Sequence, residues 1–239
     1  MLNKIDKKLE NKNYFLNSLL KNNLENDTKL VTFINPFSYY LLEKNELINS
    51  FNSLFADSAL LVKLHNIFNE IKIDRVSFDF SSIATDVLSY ASMNDLNIAF
   101  IGAKDKELNG ALSNLKSLYS NLNIVFSRNG YFNTEDDYSK CFDDMRNVKI
   151  DILIIGMGSP YQEYFAVKVK NQKLDIPLVF TCGGFLTQTS IKADYYHPLV
   201  KKFGLRWLQR GIMHKHVRDR LIKDYPLFVV KYIYNHLKK

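Results

Sequence analysis

The sequence predicts an α/β domain with a mainly parallel sheet and helices on both faces. Short apolar runs rich in β-branched residues alternate with helical patterns from about residue 97 to residue 184. The loops between them are short enough for right-handed crossovers, and the runs are typical of strands buried on both faces. Most of the runs end in glycine, at the point where such sheets bind their ligands. The expected architecture is therefore Rossmann-like.

The clearest single unit spans residues 151–163. It begins with a short apolar run, which Gly156, Gly158 and Pro160 bring to an end. A helical pattern follows, with Ser159 predicted as its N-cap and Pro160 at its first position. A strand, a glycine turn and a helix N-terminus together favour anion binding, because backbone N–H groups and the helix dipole converge there.

The other elements follow from the spacing of apolar residues. The predicted strands are residues 29–34, 97–101, 123–127 and 177–181. The predicted helices are residues 4–24, 41–51, 84–93, 108–119 and 136–146. Near the C-terminal end, Pro226 is expected to divide the helical pattern into two short helices, neither of which is long enough to span a bilayer.

Basic residues are concentrated at the end of the chain. The net charge of the 239 residues is +7, and residues 200–239 contain 11 Lys and Arg against Asp219 and Asp224. This segment therefore carries +9, which leaves −2 for residues 1–199. We expect a domain of residues 1–199 followed by a basic appendage of residues 200–239, whose charge suits anionic lipid, a phosphate-bearing substrate or nucleic acid.

Aromatic residues interleave with the charges of this appendage. They are Trp207, Tyr225, Phe228, Tyr232 and Tyr234. Such a mixture is expected of a surface that meets lipid headgroups. The alternative is that residues 227–233 pack against the domain.

Several kinds of site are disfavoured by the residues present. Gly156 and Gly158 lack the third glycine of the dinucleotide fingerprint, so NAD is a poor fit, and no Walker phosphate loop occurs. The five histidines do not combine with cysteines or carboxylates at metal-binding spacing, so no metal is expected. Two isolated cysteines, Cys141 and Cys182, and the lack of a signal-peptide pattern predict a cytoplasmic protein.

The carboxyl ends of the predicted strands are expected to share one edge of the sheet, where ligands bind. Glycine ends many strands for structural reasons alone. Its repetition at four of these five ends favours a cleft for a nucleotide or a sugar nucleotide. The residues at the ends are Thr32 and Asn35, Gly102, Gly130 and Tyr131, Gly156 and Gly158, and Gly183 and Gly184.

Asp57 lies within an apolar run that includes Leu54, Phe55 and Leu60. A carboxylate in that setting is costly unless it is hydrogen-bonded, faces a cleft or changes its pKa. One interpretation is a functional acid. The other is a residue that caps a turn or pairs with Arg75.

Short motifs in a fixed order connect these positions to a known family. They are T-x-x-N at 32–35, Ala56-Asp57, R-x-x-x-D at 75–79, Ile101-Gly102, Gly130-Tyr131-Phe132, G-x-G-x-P-x-Q-E at 156–163, Gly183-Gly184-Phe185 and R-W-L-x-R at 206–210. Over residues 31–220 the chain resembles the WecG/TagA/CpsF family of bacterial glycosyltransferases. The resemblance implies an inverting enzyme that transfers an N-acetylmannosamine-type or related sugar from UDP to a polyprenyl-diphosphate-linked saccharide, in the assembly of a surface polysaccharide such as O-antigen or capsule.

The resemblance also implies roles for individual residues. Asp57 is the expected base, which takes the proton from the attacking hydroxyl. Thr32 and Asn35 are expected to contact the donor or the base, and Gln162 to reach the sugar or the nucleotide. The diphosphate is expected to bind arginines of the appendage, because a guanidinium forms paired hydrogen bonds with phosphate. These arginines are Arg206, Arg210, Arg218 and Arg220. Further expected substrate-binding residues are Arg75, Asp79, Gly102, Gly130, Tyr131, Gly156, Gly158, Glu163, Gly184 and Gln188.

The implied partners are a UDP-sugar donor, a polyprenyl-diphosphate-linked saccharide and the cytoplasmic surface of the inner membrane. No cofactor, metal or nucleic acid is expected, and the sequence leaves both a monomer and a homo-oligomer open. Tyr161 stands where the family commonly has lysine, and Tyr196-His197-Pro198 stands where Arg-Ala-Pro is common. These differences leave the donor sugar open.

Two other classes of function fit parts of the sequence. One is a non-catalytic protein that binds nucleotides or nucleic acid through the basic appendage, although no nucleic-acid-binding module is recognisable. The other is a different sugar-nucleotide enzyme, such as an epimerase. The missing dinucleotide fingerprint disfavours the NAD-dependent epimerases.

Overall fold

The computed structural model describes residues 4–14, 27–192, 200, 206–213 and 215–238. Within these residues seven strands form one sheet. They are β1 (Leu9–Glu10), β2 (Lys29–Ile34), β3 (Ser53–Ala56), β4 (Asn97–Gly102), β5 (Asn123–Arg128), β6 (Ile152–Gly156) and β7 (Leu178–Thr181). All neighbouring strands run parallel, in the order β1-β3-β2-β7-β6-β4-β5. The predicted α/β, Rossmann-like fold is therefore confirmed.

Helices occupy most of the connections between the strands. They are α1 (Lys12–Tyr14), α2 (Pro36–Lys44), α3 (Ala59–Phe68), α4 (Ile83–Met93), α5 (Asp105–Leu118), α6 (Glu135–Arg146), α7 (Tyr161–Asn171), α8 (Phe185–Ile191), α9 (Arg206–Met213) and α10 (Lys215–Leu237), with a 3-10 turn at Leu47–Ser50.

The central strands supply two separate cores, one on each face of the sheet. In β6, Ile152 and Ile154 belong to one core and Leu153 and Ile155 to the other, as the alternation of side chains along a strand requires. The first core is covered by α4, α5 and α8. The second is covered by α2, α3, α6, α7 and α10. Helices thus lie on both faces, as predicted.

The N-terminal segment differs from the predicted helix over residues 4–24. Leu9 and Glu10 form an edge strand that pairs with β3, with Leu9 opposite Leu54, and residues 12–14 make a single helical turn. Ile5 and Leu9 are both buried, so their spacing fits a helix, but strand pairing determines the conformation of residues 9–10 instead. Residues 15–24 lie outside the described part of the chain.

Two helices begin elsewhere than the sequence predicts. Helix α2 starts at Pro36 rather than residue 41, because the Asn35 side chain accepts hydrogen bonds from the N–H groups of Phe37 (3.0 Å) and Ser38 (3.1 Å). Helix α7 starts at Tyr161, and Ser159 is not its N-cap. The Ser159 hydroxyl instead donates to Glu163 Oε1 at 3.0 Å.

Helix α10 is continuous through Pro226, so the predicted break is wrong. Phe228 and Tyr232 are buried in the core beside α2, and this packing offsets the hydrogen bond that proline removes. Phe228 and Tyr232 therefore pack against the domain, which was the alternative to a lipid-facing surface in the sequence analysis. Tyr234 is exposed. None of the described helices is both long enough and apolar enough to cross a membrane.

The carboxylate of Asp6 fastens α10 to the start of the chain. This buried group accepts hydrogen bonds from the hydroxyls of Tyr39 (2.8 Å) and Tyr232 (3.1 Å), and His236 Nε2 lies 2.9 Å from its second oxygen. Burial raises the pKa of Asp6, but hydrogen bonds from His65 and Tyr39 and the nearby imidazoles outweigh it and hold the pKa below its usual range. His236 Nδ1 faces the Tyr232 carbonyl at 2.8 Å. Both ring nitrogens thus lie within hydrogen-bond distance of an oxygen atom.

We expect Asp6→Asn to reduce the free energy of unfolding by about 1–3 kcal/mol, because the amide replaces one of the carboxylate oxygens and leaves a buried side chain without its hydrogen-bond partner. Urea unfolding followed by circular dichroism measures this loss. The matched control is Asp143→Asn, whose carboxylate is 70% exposed and pairs with Arg146 on the surface. This control should change the free energy by less than about 1 kcal/mol. Equal losses in the two variants would contradict the role of Asp6.

Candidate functional site

A cleft of about 660 Å³ lies beyond the carboxyl ends of the strands. The chain leaves β6 toward β7 and leaves β4 toward β5, so the connections diverge between these two neighbouring strands. Ligands bind at such a switch point in open α/β sheets. The predicted site residues that line the cleft are Asn35, Asp57, Arg75, Asp79, Gly130, Tyr131, Gly156, Gly158, Gln162, Gly184, Gln188 and Arg220.

Close backbone packing explains two of the glycines at the switch point. Gly102 has φ +150°, and a side chain there would overlap the backbone of Gly156 on the neighbouring strand. A Cβ at Gly130 would lie 2.9 Å from Gly102 Cα. Gly102 itself does not line the cleft. Its role is therefore the structural one, and it lets β4 and β6 end side by side.

Asp57 directly follows β3 and opens into the cleft. The apolar run that contains it is divided into β3 and α3, and the Asp57 N–H donates to the Ile34 carbonyl at 2.8 Å. Its carboxylate, 25% exposed, accepts a hydrogen bond from Arg75 Nη2 at 2.8 Å. Asp57 therefore pairs with Arg75, as one interpretation of the sequence expected, and it also lines the cleft. Its role as a functional acid stays a prediction.

Arg75 is shared between two carboxylates. The same Nη2 atom that contacts Asp57 lies 3.1 Å from Asp79 Oδ2, and Ser77 Oγ donates to that oxygen at 2.7 Å. Burial raises the pKa of Asp79, but the Arg75 guanidinium and hydrogen bonds from Ser81 and Ser77 hold it below its usual range. An ionised Asp79 thus keeps Arg75 directed at Asp57.

Thr32 and Glu163 lie beneath the cleft rather than in its wall. Both side chains are fully buried, and the Thr32 hydroxyl donates to Glu163 Oε1 at 2.9 Å and contacts the Thr181 hydroxyl at 2.8 Å. Neither side chain is placed for direct contact with a ligand in the cleft. Their polar atoms serve the floor of the site.

Burial raises the pKa of Glu163 despite several hydrogen bonds. Its Oε1 accepts from Thr32, Ser159 and Gln162, whereas its Oε2 has no hydrogen-bond partner among the residues that the structure describes. Desolvation therefore outweighs the three donors. A buried carboxyl of this kind favours its neutral form.

Gln162 connects the two glycine loops of the cleft. Its Oε1 accepts from the Gly183 N–H at 3.0 Å, and its Nε2 donates to Glu163 Oε1 at 2.9 Å and contacts Ser159 Oγ at 3.3 Å. The side chain is only 3% exposed. Gln162 thus lines the cleft while both polar atoms of its amide form hydrogen bonds within the protein. These bonds align the loop after β7 with the loop after β6.

A stacked pair of aromatic rings forms part of the cleft wall. Phe132 and Tyr138 stack with their centroids 4.2 Å apart, and the Arg128 guanidinium lies 3.8 Å from the centroid of the Phe132 ring. Tyr138, Glu107 and Met157 also line the cleft, and the sequence analysis did not single them out. Glu107 could have been predicted from the sequence, because it lies in the first turn of a helix that follows a strand ending in glycine.

One of the four candidate arginines reaches the cleft within the described residues. Arg220, on α10, lines it with its guanidinium 3.7 Å from the centroid of the Phe37 ring. Arg218 is exposed and does not line the cleft. The side chains of Arg206 and Arg210, like residues 196–198, lie outside the described part of the structure.

No group of three or more potential metal ligands occurs among the described residues.

Comparison with known proteins decides the family. The model of the glycosyl transferase WecG/TagA/CpsF family matches residues 5–239. The chain belongs to this family. It is an enzyme of the glycosyltransferase class, as the resemblance in sequence implied, so the non-catalytic alternative is set aside.

Two relatives within the WecG/TagA/CpsF family are informative. A UDP-Gal:alpha-D-GlcNAc-diphosphoundecaprenol beta-1,4-galactosyltransferase of Shigella boydii is 42% identical, over 94% of this chain and 93% of its own. An N-acetylglucosaminyldiphosphoundecaprenol N-acetyl-beta-D-mannosaminyltransferase of Staphylococcus aureus is 24% identical, over 85% of this chain and 76% of its own.

Glu163→Gln should change how stability depends on pH. The pKa of Glu163 is raised in the folded protein and is about 4.3 in the unfolded chain, so above about pH 4.3 the folded state holds more protons than the unfolded state. The contribution of Glu163 to the free energy of unfolding should therefore fall as the pH rises, by up to about 1.4 kcal/mol per pH unit, until the folded pKa is passed.

The Glu163→Gln protein lacks this ionisation, so its stability relative to the wild type should increase as the pH rises from about 4.3 to 7. Thermal unfolding across this range measures the difference. Glu70→Gln, at an exposed position, is the matched control. Its stability should differ from that of the wild type by the same amount at every pH in this range. A constant difference between wild type and Glu163→Gln would contradict a neutral Glu163.

Proposed function

We propose that this enzyme transfers galactose from UDP-galactose to N-acetylglucosaminyl-diphospho-undecaprenol. Support comes from the Shigella boydii relative, which is named for that reaction and matches nearly the whole chain at 42% identity. The relatives named for N-acetylmannosamine transfer are only 24% identical. An N-acetylmannosamine-type donor, which the sequence resemblance implied, is therefore the less favoured sugar.

Asp57 is the base in this proposal. Its carboxylate opens into the same cleft as the Gly156–Ser159 loop and Gln162, and this shared position is the observation that carries the mechanism. The acceptor hydroxyl gives its proton to Asp57 as its oxygen bonds to the anomeric carbon of the donor. The bond from that carbon to the diphosphate breaks on the opposite face, so the configuration inverts and UDP leaves with the electron pair.

Arg75 and Arg220 are the proposed partners of the departing diphosphate, in place of a metal ion. Both line the cleft, and a guanidinium is always charged and matches the geometry of phosphate oxygens. Arg75 lies 2.8 Å from Asp57. A diphosphate that draws Arg75 toward itself would therefore weaken this ion pair and leave Asp57 a better proton acceptor.

The proposed membrane surface lies on the outer side of α10. Four of its exposed apolar side chains, each 53–73% exposed, follow one another at spacings of three, four and three residues and therefore lie on one face. We term this face the apolar stripe; its residues are Leu227, Val230, Tyr234 and Leu237. Lys223 and Lys231 are exposed on the same helix, and the exposed Lys238 directly follows its last residue. An amphipathic helix of this kind suits peripheral attachment to an anionic, cytoplasmic leaflet, where the lipid-linked acceptor resides.

Asp57→Asn should lower kcat about 100- to 10,000-fold, because the amide does not accept the proton of the attacking hydroxyl. Release of UDP from UDP-galactose in the presence of the lipid-linked acceptor measures kcat. Binding of UDP, followed by calorimetry, should persist in the variant. Asp136→Asn, at an exposed position of α6, is the matched control. Near-normal turnover of Asp57→Asn would remove Asp57 as the base, and inactivity of the wild type with UDP-galactose and this acceptor would remove the proposed function.

A double substitution, Leu227→Glu with Val230→Glu, should weaken binding to vesicles of anionic phospholipid at least about tenfold, since each exposed side chain contributes about 1.5–3 kcal/mol when buried. Vesicle sedimentation measures the binding. The matched control places the same charges at two exposed apolar positions of other helices, Met93 and Leu118. Equal vesicle binding by the two double variants would contradict the apolar stripe as the membrane surface.

A further inference from the structure

A second cavity, of about 470 Å³, lies between α2 and α10. We term it the side groove. Helix α2 supplies the apolar walls Phe37, Tyr40 and Leu41, and α10 supplies Asp224 and Lys231. Phe37 lines the cleft as well. The Phe37 ring therefore borders both the side groove and the cleft.

The charges around the side groove do not favour an anion within it. Its rim carries Glu43 and Asp224 against Lys44 and Lys231, so these four groups sum to zero. Two of its aromatic rings each contact a cation of α10: the Arg220 guanidinium lies 3.7 Å from the centroid of Phe37, and Lys231 Nζ lies 3.8 Å from the centroid of Tyr40. A positive charge thus lies against the Phe37 ring, which the cleft and the side groove share.

The side groove also borders the apolar stripe. Arg220, Asp224 and Lys231 are spaced by four and seven residues, so they share one face of α10. Leu227 and Tyr234, the nearest members of the stripe, lie on the adjoining face at about 40° to 60° from Lys231. The order in space is therefore cleft, Arg220, side groove and apolar stripe.

We propose that the side groove holds the first isoprenoid units of the lipid-linked acceptor. This inference rests on the proposed function, because it takes the acceptor to be a saccharide on a polyprenyl diphosphate. Such a molecule has a sugar, a diphosphate and a hydrocarbon chain in that order. The protein presents a polar cleft, an arginine and an apolar groove in the same order, followed by the stripe that meets the bilayer. A nucleotide or a free sugar has no hydrocarbon with which to fill this groove.

The acceptor chain therefore contributes to recognition. Each methylene that leaves water for the groove should raise affinity about fourfold. In detergent, where the bilayer plays no part, the wild type should have a kcat/KM at least about tenfold higher for N-acetylglucosaminyl-diphospho-undecaprenol than for a short analogue with a methyl group in place of the polyprenyl chain, and the difference should lie in KM.

The deciding variant is Leu41→Trp, which fills the side groove. It should reduce the ratio of kcat/KM between the long and short acceptors at least about tenfold, while the KM for the UDP-sugar stays unchanged. Leu118→Trp makes the same exchange at an exposed position of α5 and should keep the wild-type ratio. A second measurement needs no substitution in the groove. An acceptor with a diazirine in its first isoprene unit should cross-link to residues 36–44 and 215–237 of the wild-type chain.

The inference is overturned if Leu41→Trp keeps the wild-type ratio of kcat/KM, or if the wild type has the same kcat/KM for the long and short acceptors. It is also overturned if the cross-links fall on other surfaces or on a second copy of the protein. In each of these outcomes the wild type still transfers the sugar. Absence of transfer to both acceptors would instead overturn the proposed function, which separates the two failures.

Discussion

One buried oxygen, Oε1 of Glu163, determines the shape of the cleft. It accepts hydrogen bonds from Thr32 on β2, from Ser159 in the loop after β6 and from Gln162 on α7. Gln162 extends this restraint to the Gly183 N–H in the loop after β7. A single acceptor thus aligns three neighbouring strands at their carboxyl ends, and both glycine loops are positioned before any ligand enters. Preorganised polar groups of this kind need little rearrangement during reaction.

The centre of the fold was predictable because its signals are local. The predicted strands at 29–34, 97–101 and 123–127 match β2, β4 and β5 to within one residue, since each is a short β-branched run that ends at a turn. The secondary structure at the two ends of the chain was not predictable, because it depends on contacts between residues far apart in the sequence. Leu9 adopts a strand through its pairing with Leu54, and α10 continues through Pro226 because Phe228 is buried.

The candidate site was predictable in place but not in orientation. Parallel strands end at one edge, so the sequence brought Asp57, Asn35 and the glycine loops to a common cleft. Side-chain direction depends on tertiary packing, which is why Glu163 lies beneath the cleft although it follows Gln162 in the first turn of α7. Arg218 and Arg220 differ by about 200° around one helix, and only the packing of α10 decides which of them faces inward.

The contact between Asp6 and His236 joins residues 230 positions apart. Helix α10, which this contact fastens, carries Arg220 into the cleft. A ribosome must therefore translate almost the whole message before the pocket can close, and long-range contacts of this kind form late in folding. A nascent chain that has only its strands in place lacks this arginine, so the wall of the cleft is completed after synthesis rather than during it.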